Sequence, residues 1–388
     1  MSNKLKADIL KTIAEGAAGR DQNRHHPFDA IKLIKEARFG ALRLPVSVGG
    51  RDATISELLD FVKDLGEADP NVAQILRNHF VFVERFARRP AGAFGLELQK
   101  KVAAGAIFGL AAGELGTRVS NASFQTVLEP REGGFSLNGS KYYSTGSLYA
   151  DYVVIRAKLN DKIASVIVPR DRDGLELVDD WDAIGQRLTG SGTTRLNDVF
   201  VAAHEVVADE KSGYGLQHIE VLPNFYLTTI TAGILRNLLT DAVKLIHSRK
   251  RTYYHAPSET PAHDPLLQQV IGRLSTWAFT ADAVISNAAD AISRSFEAAD
   301  RGTPDPDLIH DASLRAAKAK VILDELAQKA GSLIFDAGGA SAAHRDTNLD
   351  RHWRNARTLA SHNPNIYKEQ AIGDFEINGT RLPDAGFF

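Results

Sequence analysis

The spacing of apolar residues along this chain changes twice, and this order constrains the fold more than any other feature of the sequence. Steps of three and four, typical of helices, dominate residues 1–105; alternation typical of strands takes over in 106–210; helical spacing returns in 211–388. A chain of this length can bury more than one core. The sequence therefore predicts a mainly α protein with an N-terminal helical domain, a central β domain and a C-terminal helical bundle.

Local signals place individual elements within that order. Thr54 and Glu57 have the spacing of a capping box, and a helix is predicted from Val72 to Arg89. Asn138-Gly139 stands between two strand-like runs, which predicts the tight turn of a hairpin because both residues tolerate positive φ. Gly338-Gly339 follows a helical stripe and predicts its end.

The composition excludes several classes of protein. There is no cysteine, which excludes disulfides, thiolate nucleophiles and zinc–cysteine sites and favours a reducing compartment, the cytoplasm. The formal net charge is -2, which does not favour binding to nucleic acid. No stretch approaches the roughly 18 consecutive apolar residues that a membrane helix needs. Signatures of dinucleotide sites, P-loops, zinc proteases and serine hydrolases are absent. His344 and His352 lie near acidic residues, but a charge-rich helix start explains them, so no metal site is predicted.

Several segments resemble, in the same order, the acyl-CoA dehydrogenase superfamily. Leu110–Thr117 (LAAGELGT) resembles the loop that lines the flavin ring, and Leu137–Gly146 (LNGSKYYSTG) resembles the hairpin that precedes the second flavin-contacting strand. Asp198–Val201 (DVFV) matches the end of the β domain. The resemblance covers nearly the whole chain. It implies an N-terminal helical domain, a β-barrel-like middle domain and a C-terminal four-helix bundle, assembled as a homotetramer.

Two further segments narrow the resemblance to one branch. Asp179–Thr194 and Arg351–Arg357, followed by Ser-His-Asn-Pro at 361–364, are similar to the dibenzothiophene monooxygenase branch of sulfur-acquisition flavin monooxygenases. That branch implies reduced FMN from a separate NAD(P)H:flavin reductase, O2, and a small substrate that is sulfur-containing or aromatic. FAD is the alternative cofactor. Leu110 stands where the branch has asparagine, and Ala340-Ser341 replaces a glycine-arginine pair near the phosphate.

The resemblance also implies roles for single residues. His362 takes the position of the histidine beside the flavin ring, and Thr145 replaces a serine close to the ring, so both are candidate catalytic residues. Asn78 stands where the branch has a substrate-facing tyrosine, with His79 beside it. The candidate cofactor-binding residues are Leu110, Glu114, Thr117, Ser144, Thr145, Trp181, Arg251, Gln268 and Gly339.

The chemistry of these residues favours an oxygenase over a dehydrogenase. A dehydrogenase needs a carboxylate base to remove an α-proton, and residues 358–364 and 247–257, where the superfamily supplies it, contain no acid. An oxygenase must instead keep activated oxygen dry and give it a hydrogen-bond donor, which His362 can be. A dehydrogenase with its base elsewhere, and a flavin-fold scaffold that has lost catalysis, remain the alternatives.

Simpler interpretations compete for three of these residues. His362 could cap a helix before Asn363-Pro364, and helix-dipole stabilisation alone explains Arg251 at the end of a helix. A core histidine among apolar neighbours is the favoured interpretation of His79.

Overall fold

A computed structural model describes residues 3–116, 124–209 and 216–383. Its helices are α1 Asn3–Asn23, α2 Phe28–Glu36, α3 Ile55–Ala68, α4 Pro70–Ile75, α5 Arg77–Phe82, α6 Gly92–Ala103, α7 Gln217–Glu220, α8 Leu222–Ser248, α9 Pro265–Asp300, α10 Pro306–Gly338, α11 Asp350–Ala360 and α12 Asn365–Asn378. Its strands are β1 Phe108–Ala111, β2 Val127–Arg131, β3 Gly134–Lys141, β4 Tyr152–Leu159, β5 Lys162–Pro169, β6 Leu175–Leu177, β7 Thr194–Ala202 and β8 Val206–Ala208. This helix, strand, helix order confirms the predicted fold class. The exact domain boundaries stay a prediction.

Two N-terminal helical segments were predicted from the sequence, and the structure confirms the start of one and interrupts the other. The Thr54 hydroxyl accepts from the Glu57 amide, and the Glu57 carboxylate accepts from the Thr54 amide, which confirms the capping box at the start of α3. The helix predicted from Val72 to Arg89 is interrupted. It divides at Leu76 into α4 and α5 and continues as a π-helical turn, Val83–Ala87.

The strands form one mixed sheet. Its order is β6-β7-β3-β2-β4-β5-β8, and β1 pairs in parallel with β4. The turn predicted at Asn138-Gly139 is wrong: both residues lie inside β3, and the hairpin with β2 closes at residues 132–133. Gly139 has a φ of 146°, and the register against β7 shifts beside it, so the positive φ builds a β-bulge instead of a turn.

Long helices α8, α9 and α10 form the C-terminal bundle and share one apolar core with α3 and α4. Helix α10 ends where Gly339 adopts a φ of 59°, as the sequence predicts. Helix α11 packs on α8 and α10, and α12 packs on α10. Within the described ranges, no helix combines the length and the hydropathy that a membrane span requires. The β sheet and the bundle thus provide two different surfaces for a site.

Candidate flavin site

The loop after β1 is fixed by a buried ion pair. Lys141 Nζ lies 2.7 Å from Glu114 Oε1, with side-chain exposures of 0% and 4%. The same carboxylate accepts from the amides of Gln125 and Thr126 and from the Thr126 hydroxyl. Burial lowers the pKa of Lys141 to about 8, whereas for Glu114 these hydrogen bonds outweigh burial and hold its pKa below the usual range. Glu114 therefore shapes the loop instead of offering its carboxylate to a ligand.

A relay of hydroxyl groups follows β3. Thr145 Oγ1 lies 2.7 Å from Ser191 Oγ, which lies 2.7 Å from Thr189 Oγ1, and all three residues are buried. The Ser144 hydroxyl accepts from Thr194 Oγ1 at 2.8 Å. Gly146 completes this turn with a φ of 82°, and a Cβ there would lie 2.4 Å from the Ile75 carbonyl oxygen. The predicted pair Ser144 and Thr145 is thus held rigidly at the sheet edge.

Aromatic side chains border the relay on its open side. Tyr143 has a φ of 57°, which is strained for a bulky residue, and its side chain is 58% exposed. Its ring meets that of Trp181 edge to face, with centroids 5.9 Å apart. Trp181 Nε1 donates to the Gln186 carbonyl oxygen, so the half-buried indole is anchored to the segment that carries Thr189. Strained exposed aromatics beside a polar turn are typical of a ligand clamp.

A hydrogen-bond chain joins the two candidate catalytic residues. The Asn78 amide nitrogen donates to the Thr145 carbonyl oxygen at 2.9 Å, and Asn78 Oδ1 accepts from Arg77 Nε at 3.3 Å. Arg77 NH1 then lies 2.9 Å from His362 Nε2. A guanidinium can only donate, so Nε2 of His362 accepts, and the proton of the neutral imidazole must be on Nδ1. This hydrogen-bond chain therefore fixes His362 in the tautomer that carries its proton on Nδ1.

His362 follows α11 and lies in an open recess. Its side chain is accessible to solvent although protein atoms surround it. Desolvation by these atoms, and then the positive charges of Arg77, Lys320 and Lys368, hold its pKa well below the ordinary value. The ring is therefore neutral near pH 7 and presents a single N–H donor.

Two residues predicted to face substrate have other partners. In the hydrogen-bond chain described above, the side-chain nitrogen of Asn78 donates to the Thr145 carbonyl oxygen, and its side-chain oxygen accepts from Arg77. His79 is fully buried, its Nε2 lies 3.0 Å from the Gly40 carbonyl oxygen, and its Nδ1 accepts from the Phe108 amide at 3.2 Å. Burial lowers the pKa of His79 to about 4. These contacts match the core interpretation of His79 and leave no ring nitrogen for a substrate.

Three candidate cofactor-binding residues, Arg251, Gln268 and Gly339, lie around the C-terminal end of α10, away from His362. Arg251 and Gln268 are exposed, and Gln268 donates to the Ala262 carbonyl oxygen. Gly339 lies against Tyr253, where an added Cβ would be 2.2 Å from the Tyr253 hydroxyl oxygen. Of the remaining predicted residues, Leu110 packs against a core cluster of the sheet and α6, and Thr117 lies outside the described residues.

A small cleft lies between α7, α8, α10 and α12. Its lining includes Phe225 and Asn224 from α8, Lys320 from α10 and Lys368 from α12. Lys320 Nζ also donates to the carbonyl oxygen of Ala360, two residues before His362. The cleft therefore adjoins the histidine recess. Sequence reasoning missed Arg77, Ser191 and both lysines, because no local pattern distinguishes them from ordinary surface or helix residues.

The polar groups of this region fit a flavin. Thr145, the Nδ1–H of His362 and the amide of Gln186 provide donors and acceptors of the kind that the N5 and carbonyl edges of the ring require. Both polar side-chain atoms of Gln186 are buried and have no hydrogen-bond partner among the described residues, although its backbone carbonyl binds Trp181 and Thr189. A polar cofactor against this wall would supply such partners.

Comparison with known proteins agrees with this architecture. Residues 109–199 match the acyl-CoA dehydrogenase middle domain, and residues 227–365 match the acyl-CoA dehydrogenase C-terminal domain. Dibenzothiophene monooxygenase of Mycolicibacterium goodii is 27% identical over 276 residues, 68% of this chain and 66% of that protein, just under two thirds of its length. The probable FMNH2-dependent monooxygenase SfnC of Pseudomonas putida is 22% identical over 99% of this chain and 96% of its own.

Solved structures show the same fold. Methanesulfinate monooxygenase MsuC from Pseudomonas fluorescens superposes with a TM-score of 0.89, at 22% identity, over 100% of both chains. TdsC from Paenibacillus sp. A11-2, in complex with FMN and indole, superposes with a TM-score of 0.88, at 22% identity, over 99% of both chains. The two domain matches and the shared fold show that this chain belongs to the acyl-CoA dehydrogenase superfamily.

Proposed function

We propose that this chain is the oxygenase of a two-component flavin system. It takes reduced FMN from a separate NAD(P)H:flavin reductase and uses O2 to oxygenate a small organic molecule. The functions of its relatives, dibenzothiophene monooxygenase and a probable FMNH2-dependent monooxygenase, favour this reaction class. A sulfur-containing substrate is the class these relatives suggest, and the cysteine-free composition fits the cytoplasm.

One observation carries the proposal: the solvent-exposed side chain of His362 is hydrogen-bonded by Arg77 and keeps a single N–H donor. Arg77 occupies Nε2, so Nδ1–H is the donor that remains for a ligand. When bound, reduced flavin supplies the electrons that activate O2. The protein's part is to hold a donor beside the reacting oxygen, keep water away and fix the ring, which Thr145, Trp181 and the buried hydroxyl relay are placed to do.

The acyl-CoA dehydrogenase alternative depends on a single carboxylate. Glu220 is the acid that lines the cleft among the described residues, and it lies 2.7 Å from Arg85 NH2 in an ion pair with side-chain exposures of 17% and 6%. An ion pair of this kind favours the carboxylate form but reduces its basicity. The ion pair with Arg85 therefore makes Glu220 a poor base for the removal of a weakly acidic proton.

We also propose a homotetramer, which the resemblance to the superfamily implies, and the distance between the two halves of the proposed cofactor site supports a site shared between copies. The 19 residues from Lys320 to Gly339 rise about 28 Å along α10, which is longer than FMN. In the proposed assembly, the region of His362 in one copy and the surface near Gly339 in a second copy hold one flavin. Large apolar side chains of α9 and α12 are available to bury, namely Leu266, Phe279, Ile366 and Ile377, each more than 60% exposed.

The decisive experiment separates flavin supply from oxygenation. Purified protein mixed with FMN, NADH and air should oxidise no NADH; addition of a flavin reductase should start oxygenation of a sulfide or thiophene, with catalase present to remove peroxide. NADH oxidation by the protein alone would contradict the two-component mechanism. Anaerobic mixing of the FMN-loaded protein with acyl-CoA thioesters should leave oxidised flavin unbleached, and bleaching would establish the dehydrogenase instead.

A further inference from the structure

The segment between β6 and β7, residues 178–193, contains no helix or strand. Trp181 lies near its start, and Thr189 and Ser191 lie near its end, so the segment supplies three groups of the proposed flavin site. Without regular secondary structure, its shape depends on contacts with side chains of other elements. Contacts that fix both ends of the segment therefore also fix one side of the flavin site.

His26, in the turn between α1 and α2, joins both ends of this segment. Its Nε2 lies 2.9 Å from Oδ2 of Asp179, near the start. Its Nδ1 contacts the hydroxyl of Tyr149, and that hydroxyl donates to the carbonyl oxygen of Leu188, near the end. One imidazole therefore connects the two ends of the segment, directly at Asp179 and through Tyr149 at Leu188.

The partners of His26 require both ring nitrogens to donate. The Leu188 carbonyl oxygen can only accept, so the Tyr149 hydroxyl gives its one proton there and must accept from Nδ1 of His26. The ionised carboxylate of Asp179 can only accept, so it needs a proton on Nε2. The complete set of bonds therefore forms only with the doubly protonated, positively charged ring, and a neutral ring loses one of them.

The charged groups around His26 come from three parts of the chain. The carboxylate of Asp179 is shared with Arg24, whose NH1 and NH2 lie 3.1 and 2.9 Å from its two oxygens. Asp69, in an ion pair of its own, is a second carboxylate whose charge reaches Tyr149. Burial, and then the charge of Asp179, raise the pKa of Tyr149 above its ordinary value, so its hydroxyl keeps its proton near neutral pH. Histidine is the side chain that ordinarily changes charge between about pH 5 and 8, so His26 is the group that titrates within this set.

We propose that His26 is a positioning residue for the flavin site, and that its charged ring holds residues 178–193 in the conformation that binds flavin. When the ring loses a proton, either the Asp179 carboxylate faces a lone pair or the Tyr149 hydroxyl turns away from Leu188. Flavin affinity should therefore fall as pH rises from about 5 to 8. The inference rests on the proposed function in taking flavin as the ligand, whereas the attachment of the segment by His26 requires no flavin.

The first measurement follows the segment in the flavin-free, full-length protein. Trp181 emission should change between about pH 5 and 8, and the change should disappear in His26→Gln, because one amide nitrogen cannot donate to partners on opposite sides. The control is His25→Gln, at the neighbouring exposed histidine, which should keep the native transition. Trp181→Phe identifies the emission of this segment among the three tryptophans of the chain. A transition that persists unchanged in His26→Gln overturns the proposal.

The second measurement is the affinity for FMN, from titration of flavin fluorescence. The FMN phosphate itself changes charge near pH 6, so the informative quantity at each pH is the ratio of the native affinity to the His26→Gln affinity. This ratio should be about tenfold at about pH 5.5, the factor for one charge-assisted hydrogen bond, and should approach about one at about pH 8. A ratio that does not change with pH overturns the proposal.

A second variant covers the case in which His26→Gln does not fold by circular dichroism. Tyr149→Phe keeps the histidine and removes the hydroxyl that reaches Leu188, so it should reproduce the same dependence of the affinity ratio on pH. A ratio for Tyr149→Phe that stays constant with pH contradicts the role of His26.

The two proposals can fail separately. If reduced FMN supports oxygenation of thiophenes but the affinity ratio does not change with pH, the oxygenase proposal stands and the role of His26 is wrong. If the ratio changes with pH as expected but no oxygenation occurs with reduced FMN, the role of His26 stands and the oxygenase proposal is wrong.

Discussion

The two walls of the proposed active site differ in how they treat charge. The sheet wall is built mainly from neutral hydroxyl groups: Thr145, Ser191 and Thr189 bond to one another, and the ion pair of Glu114 with Lys141 is buried. The helical wall carries cations whose charges act on His362, among them Arg77, Lys320 and Lys368. In the proposed site, the cofactor ring packs against the sheet wall, and the protonation of His362 is controlled from the helical wall.

The sheet wall should be the more sensitive in stability. Lys141→Met leaves the Glu114 carboxylate buried without its cation, so the free energy of unfolding should fall by about 3–5 kcal/mol. Urea denaturation followed by circular dichroism measures this. Lys318→Met is the control, since its ion pair with Glu376 is exposed and should contribute less than about 1 kcal/mol. Equal losses in the two variants would show that the buried pair does not organise this wall.

The helical wall should be the more sensitive in chemistry. His362→Ala removes the donor and should reduce product formation about 10²–10³-fold, with O2 released as hydrogen peroxide, while FMN binding and the fold persist. Product and peroxide are measured in the same reaction with a reductase present. His25→Ala, at an exposed histidine, is the control. Normal coupling in His362→Ala would identify His362 as a helix cap.

A variant of Arg77 tests whether this residue controls the protonation of His362. Arg77→Met removes a neighbouring positive charge, so the pKa of His362 rises, while burial and the charges of Lys320 and Lys368 still hold it below its ordinary value. As pH falls, the yield of product per O2 should therefore begin to change at a higher pH in this variant than in the native protein. A variant with a flat profile would mean that Arg77 does not set the protonation of His362.

The smallest effect is expected within the hydroxyl relay. Thr145→Val keeps the side-chain shape and removes the hydroxyl that meets Ser191, which should weaken reduced FMN binding by about 1 kcal/mol, or roughly fivefold. Anaerobic fluorescence titration measures this affinity. Thr276→Val removes a hydroxyl that bonds the Gly272 carbonyl on exposed α9, and it should leave the affinity unchanged. A fivefold loss in both variants would refute a specific role for Thr145.

The sequence was sufficient for the order of elements because hydrophobic periodicity acts locally. The capping box at Thr54 and the helix end at Gly339 depend on neighbours in the chain, and both are present. Asn138-Gly139 shows the limit of that approach: a positive φ serves a turn or a bulge equally, and pairing with β7 decides between them.

Less of the site could be predicted from the sequence, because its contacts join residues that are far apart in the chain. His362 could be identified by resemblance, but its partner Arg77 is 285 residues away, and the Thr145 partner Ser191 is 46 residues away. The interruption at Leu76, which begins α5 at Arg77, breaks an otherwise helical pattern without any proline or glycine. Only tertiary packing can reveal that this residue turns towards a histidine beyond α11.

The length of α10 has a consequence for communication between subunits. Its 33 residues form a rod of about 50 Å, with Lys320 beside one chain's cleft and Gly339 at the surface proposed to complete a neighbour's cofactor site. Close-packed helices transmit small displacements instead of absorbing them. Binding of substrate beside one end of α10 should therefore alter the flavin affinity of another copy, as a thermodynamic coupling between distinct sites. Titration of FMN with and without a saturating thiophene measures that coupling, and identical affinities would show that the copies act independently.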